Sequence, residues 1–160
     1  MLGTPVKSTA LKILIFTVGD LHLGIRLDSV QKVVGMPSIV KSGNKFLGIA
    51  QIDGQELVVL DLFHNIYGYS ANQQKGYFIV TKSDRQVYGI PTASLPTMKD
   101  IPATDFHPVP AEYRDRDTLG IAEQMAQVTL EKMQVATLFL LDPDRLMNLI
   151  KPLAQTLVAE

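Results

Sequence analysis

Residues 46–62, with the sequence FLGIAQIDGQELVVLDL, carry the clearest structural signal in the chain. Two apolar runs, 46–52 and 55–60, flank the dipeptide Asp53-Gly54. An Asp-Gly pair between apolar runs is among the strongest short signals for a β-hairpin. Asp61 then follows as a candidate N-cap. The stretch therefore predicts two paired strands that run into a short helix, closed by a glycine.

Further hairpins are predicted on both sides of this stretch. Their apolar runs and turns are 12–18 and 21–27 around Gly19-Asp20, and 77–81 and 86–90 around Ser83-Asp84. Apolar and polar residues alternate strictly over 21–28, which indicates a strand with one buried face. A short helix is expected over 29–34, with Asp28 as its cap.

The rest of the chain predicts a proline-rich connection, two strands and a C-terminal helix. Five prolines within residues 91–110 restrict that segment to loop and edge strand. Strands are predicted at 118–125 and 135–141. Asp142-Pro143 predicts an N-cap followed by proline at the first helical position, and Pro152 is expected to break that helix.

The sequence also repeats itself. Three short matches occur in the same order: Leu23-Gly24-Ile25 with Tyr88-Gly89-Ile90, Leu47-Gly48-Ile49-Ala50 with Leu119-Gly120-Ile121-Ala122, and LVVLD at 57–61 with LFLLD at 138–142. This order predicts a duplication and two small, similar β-barrels. The alternative is one large meander whose apolar strands merely look alike. Extra residues between Ala122 and Leu138 indicate either a longer hairpin or an added contact surface.

Composition excludes several classes of function. The chain has 160 residues, 46% apolar and 19% charged, which is a globular profile. Its net charge is −1 without a basic block, which argues against nucleic acid and anionic membranes as partners. It contains no cysteine, so disulfides and thiolate chemistry are excluded. No signal peptide and no bilayer-length apolar run is read, so a cytoplasmic protein without membrane insertion is expected.

No motif in the sequence predicts catalysis, a cofactor or a metal. The three histidines, His22, His64 and His107, lack metal-ligand spacing, and surface positions are expected for the first two. The acidic pairs in Asp115-Arg116-Asp117 and Asp142-Pro143-Asp144 are better explained as a turn and a helix cap than as a cation site. We therefore expect a protein that is not an enzyme.

Three stretches together resemble the CheW family of chemosensory adaptors. They are residues 15–25, residues 28–33 (DSVQKV) and residues 46–62, and the likeness extends over about 12–150. The resemblance implies a mainly β fold of two five-stranded SH3-like barrels with short helices and a C-terminal helix. The first copy would span about 12–70 and the second about 75–150, within a single domain flanked by tails at 1–11 and 151–160.

The resemblance also implies partners and a binding surface. Family members bridge the cytoplasmic tips of chemoreceptors and the regulatory domain of a CheA-type histidine kinase, without catalysis or cofactor. The corresponding protein-binding residues here are Val30, Lys32, Val33, Gly48, Ile49, Gln51, Asp53 and Gly54. We interpret Val30 as an exposed apolar contact, for which Val30→Arg would weaken partner binding without a change in melting temperature.

Two positions depart from the family pattern. The family commonly has Val-Gln-Glu-Ile where this chain has Val30-Gln31-Lys32-Val33, and Asn-Leu-Arg-Gly where it has Gln51-Ile52-Asp53-Gly54. A glutamate is thus replaced by Lys32 and an arginine by Asp53. We hypothesise that these two side chains face each other and tune the choice of partners; the alternative is two unrelated surface charges.

The expected function is a chemosensory adaptor in flagellar chemotaxis or pilus-driven twitching. The alternative is a β-barrel module that senses a small molecule or binds other proteins. A sensing module would need a pocket with convergent polar groups, and the sequence shows no cluster that supplies them.

Overall fold

The computed structural model describes residues 9–43, 46–69, 75–84, 86–114 and 120–158. Within these ranges the chain is mainly β, with two sheets and a few helices. The strands are β1 (Ala10–Val18), β2 (Leu21–Arg26), β3 (Val30–Gly35), β4 (Ile39–Lys41), β5 (Leu47–Ile52), β6 (Gln55–Leu60), β7 (Tyr77–Ser83), β8 (Gln86–Thr92), β9 (Thr97–Pro102), β10 (His107–Pro108), β11 (Ala122–Thr129) and β12 (Val135–Leu141). The α-helices are α1 (Leu62–Tyr67), α2 (Ala111–Arg114) and α3 (Pro143–Val158).

Each sheet combines strands from both halves of the chain. The first sheet has the order β10-β11-β12-β2-β1-β9, and the second has the order β3-β7-β8-β6-β5-β4. The hairpin β1–β2 thus pairs with late strands, and the hairpin β7–β8 pairs with early ones. The copies expected at about 12–70 and 75–150 therefore do not outline the two sheets. Each sheet also has six strands rather than five, because a short edge strand, β4 or β10, is added.

The two sheets nevertheless correspond strand for strand. Written from the equivalent edge, β4-β5-β6-β8-β7-β3 matches β10-β11-β12-β2-β1-β9. Both contain one parallel pair, in which Val58 lies opposite Tyr88 in one sheet and Phe139 lies opposite Leu23 in the other. This correspondence supports a duplication in which the two copies exchange their first hairpins.

Two of the three sequence matches fall at structurally equivalent positions, and one does not. The Leu-Gly-Ile-Ala match would make Leu119 the equivalent of Leu47 at the start of β5, but Leu119 lies outside the described residues. In the observed registers, Leu47 pairs with Leu60 whereas Ala122 pairs with Leu141, three positions from the expected partner. The equivalent of Ala50-Gln51-Ile52 is therefore Ala126-Gln127-Val128, beyond a bulge in β11.

A repeated glycine shows why the matching positions resist change. A Cβ atom on Gly89 would lie 1.9 Å from Cζ of Phe78, and one on Gly24 would lie 2.7 Å from Cγ2 of Ile13. Both glycines sit in the strand that forms the parallel pair, and in each case the neighbouring strand lays a large apolar side chain across them. Glycine in a strand often marks such a close approach.

Local signals are mostly confirmed. Asp53 (φ 52°) and Gly54 (φ 80°) form a two-residue turn with positive φ at both positions, as a type I′ hairpin requires. At the start of α1, the backbone N–H of His64 donates to the carboxylate of Asp61, and Gly68 ends the helix with φ 81°. The turn before β8 likewise contains Asp84 with φ 53°.

Two local predictions are wrong. Residues 30–35 form strand β3 after a 3-10 turn at Leu27–Ser29, not a helix over 29–34, because the β-branched residues of this segment pair with β7. The C-terminal helix α3 continues through Pro152 to Val158, so 151–160 is not simply a tail. Proline removes one backbone hydrogen bond, but its fixed φ is compatible with a helix, so the helix need not end at Pro152.

Three apolar cores stabilise this arrangement. One fills each barrel, represented by Ile13 and Leu138 in the first and by Phe78 and Val59 in the second. The largest joins residues of both sheets, α1 and α3 in a single cluster. Strands β1 and β6 are therefore buried on both faces, which explains their nearly continuous apolar sequences.

Polar contacts also connect the two sheets. The Tyr67 hydroxyl at the end of α1 donates to the carbonyl of Val18 (3.0 Å) and accepts from the N–H of Asp20 (3.2 Å). The Thr92 hydroxyl at the end of β8 donates to the carbonyl of Thr17 (3.0 Å). These bonds hold α1 and β8 against the β1–β2 hairpin of the other sheet.

The pH dependence of stability tests the central core. Burial raises the pKa of Tyr88 to about 12 from 10.0, against a smaller lowering by Thr81. The folded state keeps the Tyr88 hydroxyl protonated to a higher pH than the unfolded state does. The free energy of unfolding is therefore not reduced by this group below pH 10, and it falls as the pH rises toward 12. We expect Tyr88 to account for a loss of about 1 kcal/mol between pH 9 and 11 in urea unfolding.

Tyr88→Phe should remove that part of the pH dependence, because the substitution removes the ionisable hydroxyl. An unchanged pH profile in Tyr88→Phe would contradict the burial of an ionisable hydroxyl in the central core.

Candidate protein-binding site

A bulge in β3 decides where its side chains point. Val30 lies opposite Thr81 and Lys32 lies opposite Val80, so Gln31 is an extra residue in the pairing with β7. A bulge of this kind re-aims the side chains that follow it. As a result Val30 and Val33 share the face that packs against the central core, and Lys32 lies on the other face of the strand.

Lys32 forms an ion pair with Asp53. Its ammonium group donates to the carboxylate of Asp53 in the turn between β5 and β6. β3 is one edge of the second sheet, and β5 lies next to the other edge, so this contact crosses the seam where the sheet curls toward closure. The hypothesis that the two charges face each other is confirmed. Their role in partner choice stays a prediction.

The energy of this ion pair is small. The Lys32 side chain is 42% exposed and that of Asp53 is 78% exposed. Exposed pairs of this kind contribute only ~0–1 kcal/mol, because water screens the attraction and two side chains lose rotamer freedom. The pair therefore contributes little to stability, and its charges lie at the surface, where a partner can read them.

Strand β5 places the remaining predicted residues at graded depth. Gly48 is buried where β4 pairs with β5, Ile49 is half-buried, and Gln51 is exposed. Side chains alternate along a strand, so Ile49, Gln51 and the turn lie along one face. Leu47 lies on the same face and packs in the central core. From Leu47 toward the turn, the side chains on this face become increasingly exposed to solvent.

An exposed apolar residue that the sequence analysis missed completes this surface. Val40 on β4 is 70% exposed and lies directly opposite Ile49. Glu56 on β6 lies opposite Gln51 and is also exposed. We name Val40, Ile49, Gln51 and Glu56 the β4–β5 patch. The only signal for Val40 was the short β-branched run at 39–40, which periodicity cannot assign to a face.

The structure thus divides the predicted site residues into two groups. Lys32, Gln51, Asp53 and Gly54 are exposed, with Ile49 half-buried beside them. Val30 and Val33 are partly buried and pack against the central core. Val30→Arg would therefore disturb packing as well as any partner contact, and the β4–β5 patch offers cleaner positions for substitution.

The described residues offer little for other chemistry. They contain no group of three or more His, Asp or Glu side chains that could hold a metal ion. Asp144 uses its backbone N–H to bond the Asp142 carboxylate, which makes Asp142-Pro143-Asp144 a helix cap, as expected. Asp115-Arg116-Asp117 lies outside the described residues. His22 and His64 are half-buried rather than fully at the surface.

In the part of the chain that is described, no helix combines the length and apolar character needed to span a bilayer.

The extra residues between Ala122 and Leu138 form a longer hairpin. β11 and β12 remain paired to Thr129 and Val135, and a five-residue loop containing a 3-10 turn joins them. Of the two interpretations left open by the sequence, the hairpin is therefore confirmed, and its exposed tip leaves room for the second.

Two SH3-like barrels with interlocked hairpins and exposed strand surfaces define a two-barrel scaffold domain. A family model for the CheW-like domain matches residues 12–151, and the chain belongs to this family. CheW-like proteins are non-catalytic adaptors and scaffolds of chemotaxis.

A solved structure agrees with this assignment. The scaffolding protein TtCheW from Thermoanaerobacter tengcongensis is similar to the chain with a TM-score of 0.67 and 20% sequence identity. The alignment covers 84% of this chain and 90% of that one, so the likeness extends over most of both chains. Among curated proteins, no significant match was found.

A double-mutant cycle measures the strength of the ion pair. Lys32→Met keeps the apolar stem, and Asp53→Asn keeps a residue suited to positive φ. We expect an interaction energy of at most about 1 kcal/mol from urea unfolding of the four proteins. It should vanish near 1 M salt, where the Debye length is ~3 Å. A coupling well above this value that persists in salt would show a buried, structural pair instead.

Proposed function

We propose that this protein is a non-catalytic chemosensory adaptor that couples the cytoplasmic tips of chemoreceptors to the regulatory domain of a CheA-like histidine kinase. Family membership over residues 12–151 is the observation that carries the proposal. The protein would work in the cytoplasm and reach the membrane only through the receptors. Its output would be motility, by flagella or by pili.

The structure supports a binding role for the second barrel. Val40 and Ile49 give the β4–β5 patch an apolar centre, and polar groups follow toward the turn, namely Gln51, Glu56 and the Lys32–Asp53 pair. An apolar centre with a polar rim is the usual anatomy of a protein interface. We therefore place a partner contact on this patch and on the turn beside it.

The ion pair would act in the choice of partner. The sign of each charge has little effect on stability, because either arrangement attracts across the seam. A partner that contacts only one member of the pair meets a defined charge, and a like charge across an interface is costly. We propose that Lys32 and Asp53 favour the cognate kinase or receptor over those suited to the opposite arrangement.

Reconstitution tests the adaptor function. The purified chain is mixed with the signalling domain of a receptor and the CheA-type kinase from the same organism, and co-sedimentation and kinase activity are measured. We expect receptor and kinase to be recovered together only when the chain is present. Recovery independent of the chain, or no binding to either protein, would contradict the proposal.

Substitution in the β4–β5 patch then locates the contact. Val40→Asp, at a 70% exposed position, should lower affinity for one partner by about tenfold or more, which corresponds to ~1.4 kcal/mol. Tyr69→Asp is the matched control, because Tyr69 is 61% exposed and lies outside the patch. Equal effects of both variants would remove the patch from the proposed interface.

Exchange of the two charges tests the role in partner choice. Lys32→Glu combined with Asp53→Arg keeps an attractive pair across the seam and should leave the melting temperature within a few degrees of the parent. Binding to the cognate partner should nevertheless weaken, because the charges offered to it have changed sign. If the doubly substituted protein binds its cognate partners with the same affinity as the parent, the two charges do not contribute to partner recognition.

A further inference from the structure

The β5–β6 and β11–β12 hairpins are structurally equivalent, but their tips differ in length. In the second barrel, Ile52 and Gln55 are joined by the two residues Asp53-Gly54. Their structural equivalents in the first barrel, Val128 and Ala136, enclose seven residues. The first barrel thus carries a five-residue insertion at the position where the second carries its compact charged turn.

The inserted tip exposes two large apolar side chains on a tight turn. Met133 is 84% exposed and Val135 is 62% exposed. Lys132 (φ 60°) and Met133 (φ 59°) are consecutive non-glycine residues in the left-handed region. The N–H of Gln134 donates to the carbonyl of Glu131 (3.4 Å), so the two residues form a tight turn, and two consecutive positive φ angles are typical of such a turn. The turn holds the Met133 side chain out at the surface.

A groove lies between this tip and the edge strand β9. It has a volume of about 580 Å³, and its walls include Met98 and Lys99 on one side and Thr129 and Leu130 on the other. Leu95 and Met98, at 60% and 64% exposure, add apolar surface to the rim. Of the six large apolar residues that are exposed within the described ranges, two line the groove and two more lie on or beside the inserted tip.

Both walls of the groove are unpaired strand edges. β9 is the outermost strand of the first sheet. β10 covers β11 only at Gln124 and Met125, so among the described residues the segment 126–129 has no strand partner on that side. The Lys99 ammonium group reaches across the gap and donates to the carbonyl of Thr129. The first barrel is therefore closed at this point by one side chain instead of by a strand.

The width of the gap selects its occupant. A gap that one lysine side chain can bridge is too narrow for an α-helix, whose diameter with side chains is ~10–12 Å. It suits one extended chain, because neighbouring strands lie ~4.8 Å apart and both walls offer backbone hydrogen-bonding groups. Addition of a strand to a sheet edge gives affinity through the main chain and specificity through alternate side chains.

We propose that the groove between β9 and the β11–β12 tip binds an extended peptide segment of a partner protein, with apolar side chains at alternating positions. The segment inserts between β9 and β11, displaces Lys99 from Thr129, and places its apolar side chains against Leu95, Met98 and the tip. This site lies on the first barrel and is independent of the adaptor function proposed for the second.

Selection from a random linear peptide library, with the full chain as bait, tests this inference. Selected peptides are synthesised, and their affinity is measured by titration calorimetry. We expect sequences with apolar residues at every second position. Binding should slow amide exchange in β9 and in residues 126–129, because new main-chain hydrogen bonds form there.

Leu95→Asp and Met98→Asp should each weaken these peptides at least tenfold, and both sites are exposed enough for the fold to persist. Tyr69→Asp, at a 61% exposed position outside the groove, is the matched control and should have no effect. Peptides that bind as helices, that ignore both substitutions, or that never emerge from the selection would overturn the inference. Loss of kinase or receptor binding in Val40→Asp would test the patch on the other barrel and not this groove.

Discussion

The whole structure depends on two short parallel pairings, β2 with β12 and β6 with β8. Each of them fastens a hairpin of one repeat to the strands of the other. Neither repeat therefore forms a complete sheet by itself. One apolar face of β1 and one of β6 pack in a core that contains residues of both repeats. The two barrels therefore cannot separate without exposing the apolar core that they share.

This interlocking also leaves the outer ends of the hairpins free to vary. The parallel pairs, the glycines beneath Phe78 and Ile13, and the capped helices lie in the interior or at element ends where packing restricts substitution. The hairpin tips lie at the mouths of the barrels, where a change affects only surface contacts. The two equivalent hairpin tips thus carry different surfaces, a charge at Asp53 in one barrel and an exposed apolar side chain at Met133 in the other.

The sequence predicted local elements well and their assembly less well. Asp53-Gly54 and Asp61 act through neighbouring backbone atoms, so the hairpin and the helix cap could be predicted from residues within a few positions. The exchange of hairpins could not, because a strand that is buried on both faces has the same sequence whichever sheet it joins. The misassigned segment at 29–34 failed for a related reason, since its valines acquire strand structure only by pairing with β7, about 45 residues later in the chain.

The candidate site shows the same division. The pairing of Lys32 with Asp53 could be predicted because the family resemblance placed two exchanged charges in the same region. The depth of Val30 could not, since a single extra residue, Gln31, determines which face of β3 meets the core. Val40 was missed because exposure on a three-residue edge strand leaves no periodic signal. Sequence patterns report which side chains a fold can bury. Which side chains stay exposed for contact with a partner depends on bulges, strand edges and loop lengths. These features are known only once the pairing of the strands is known.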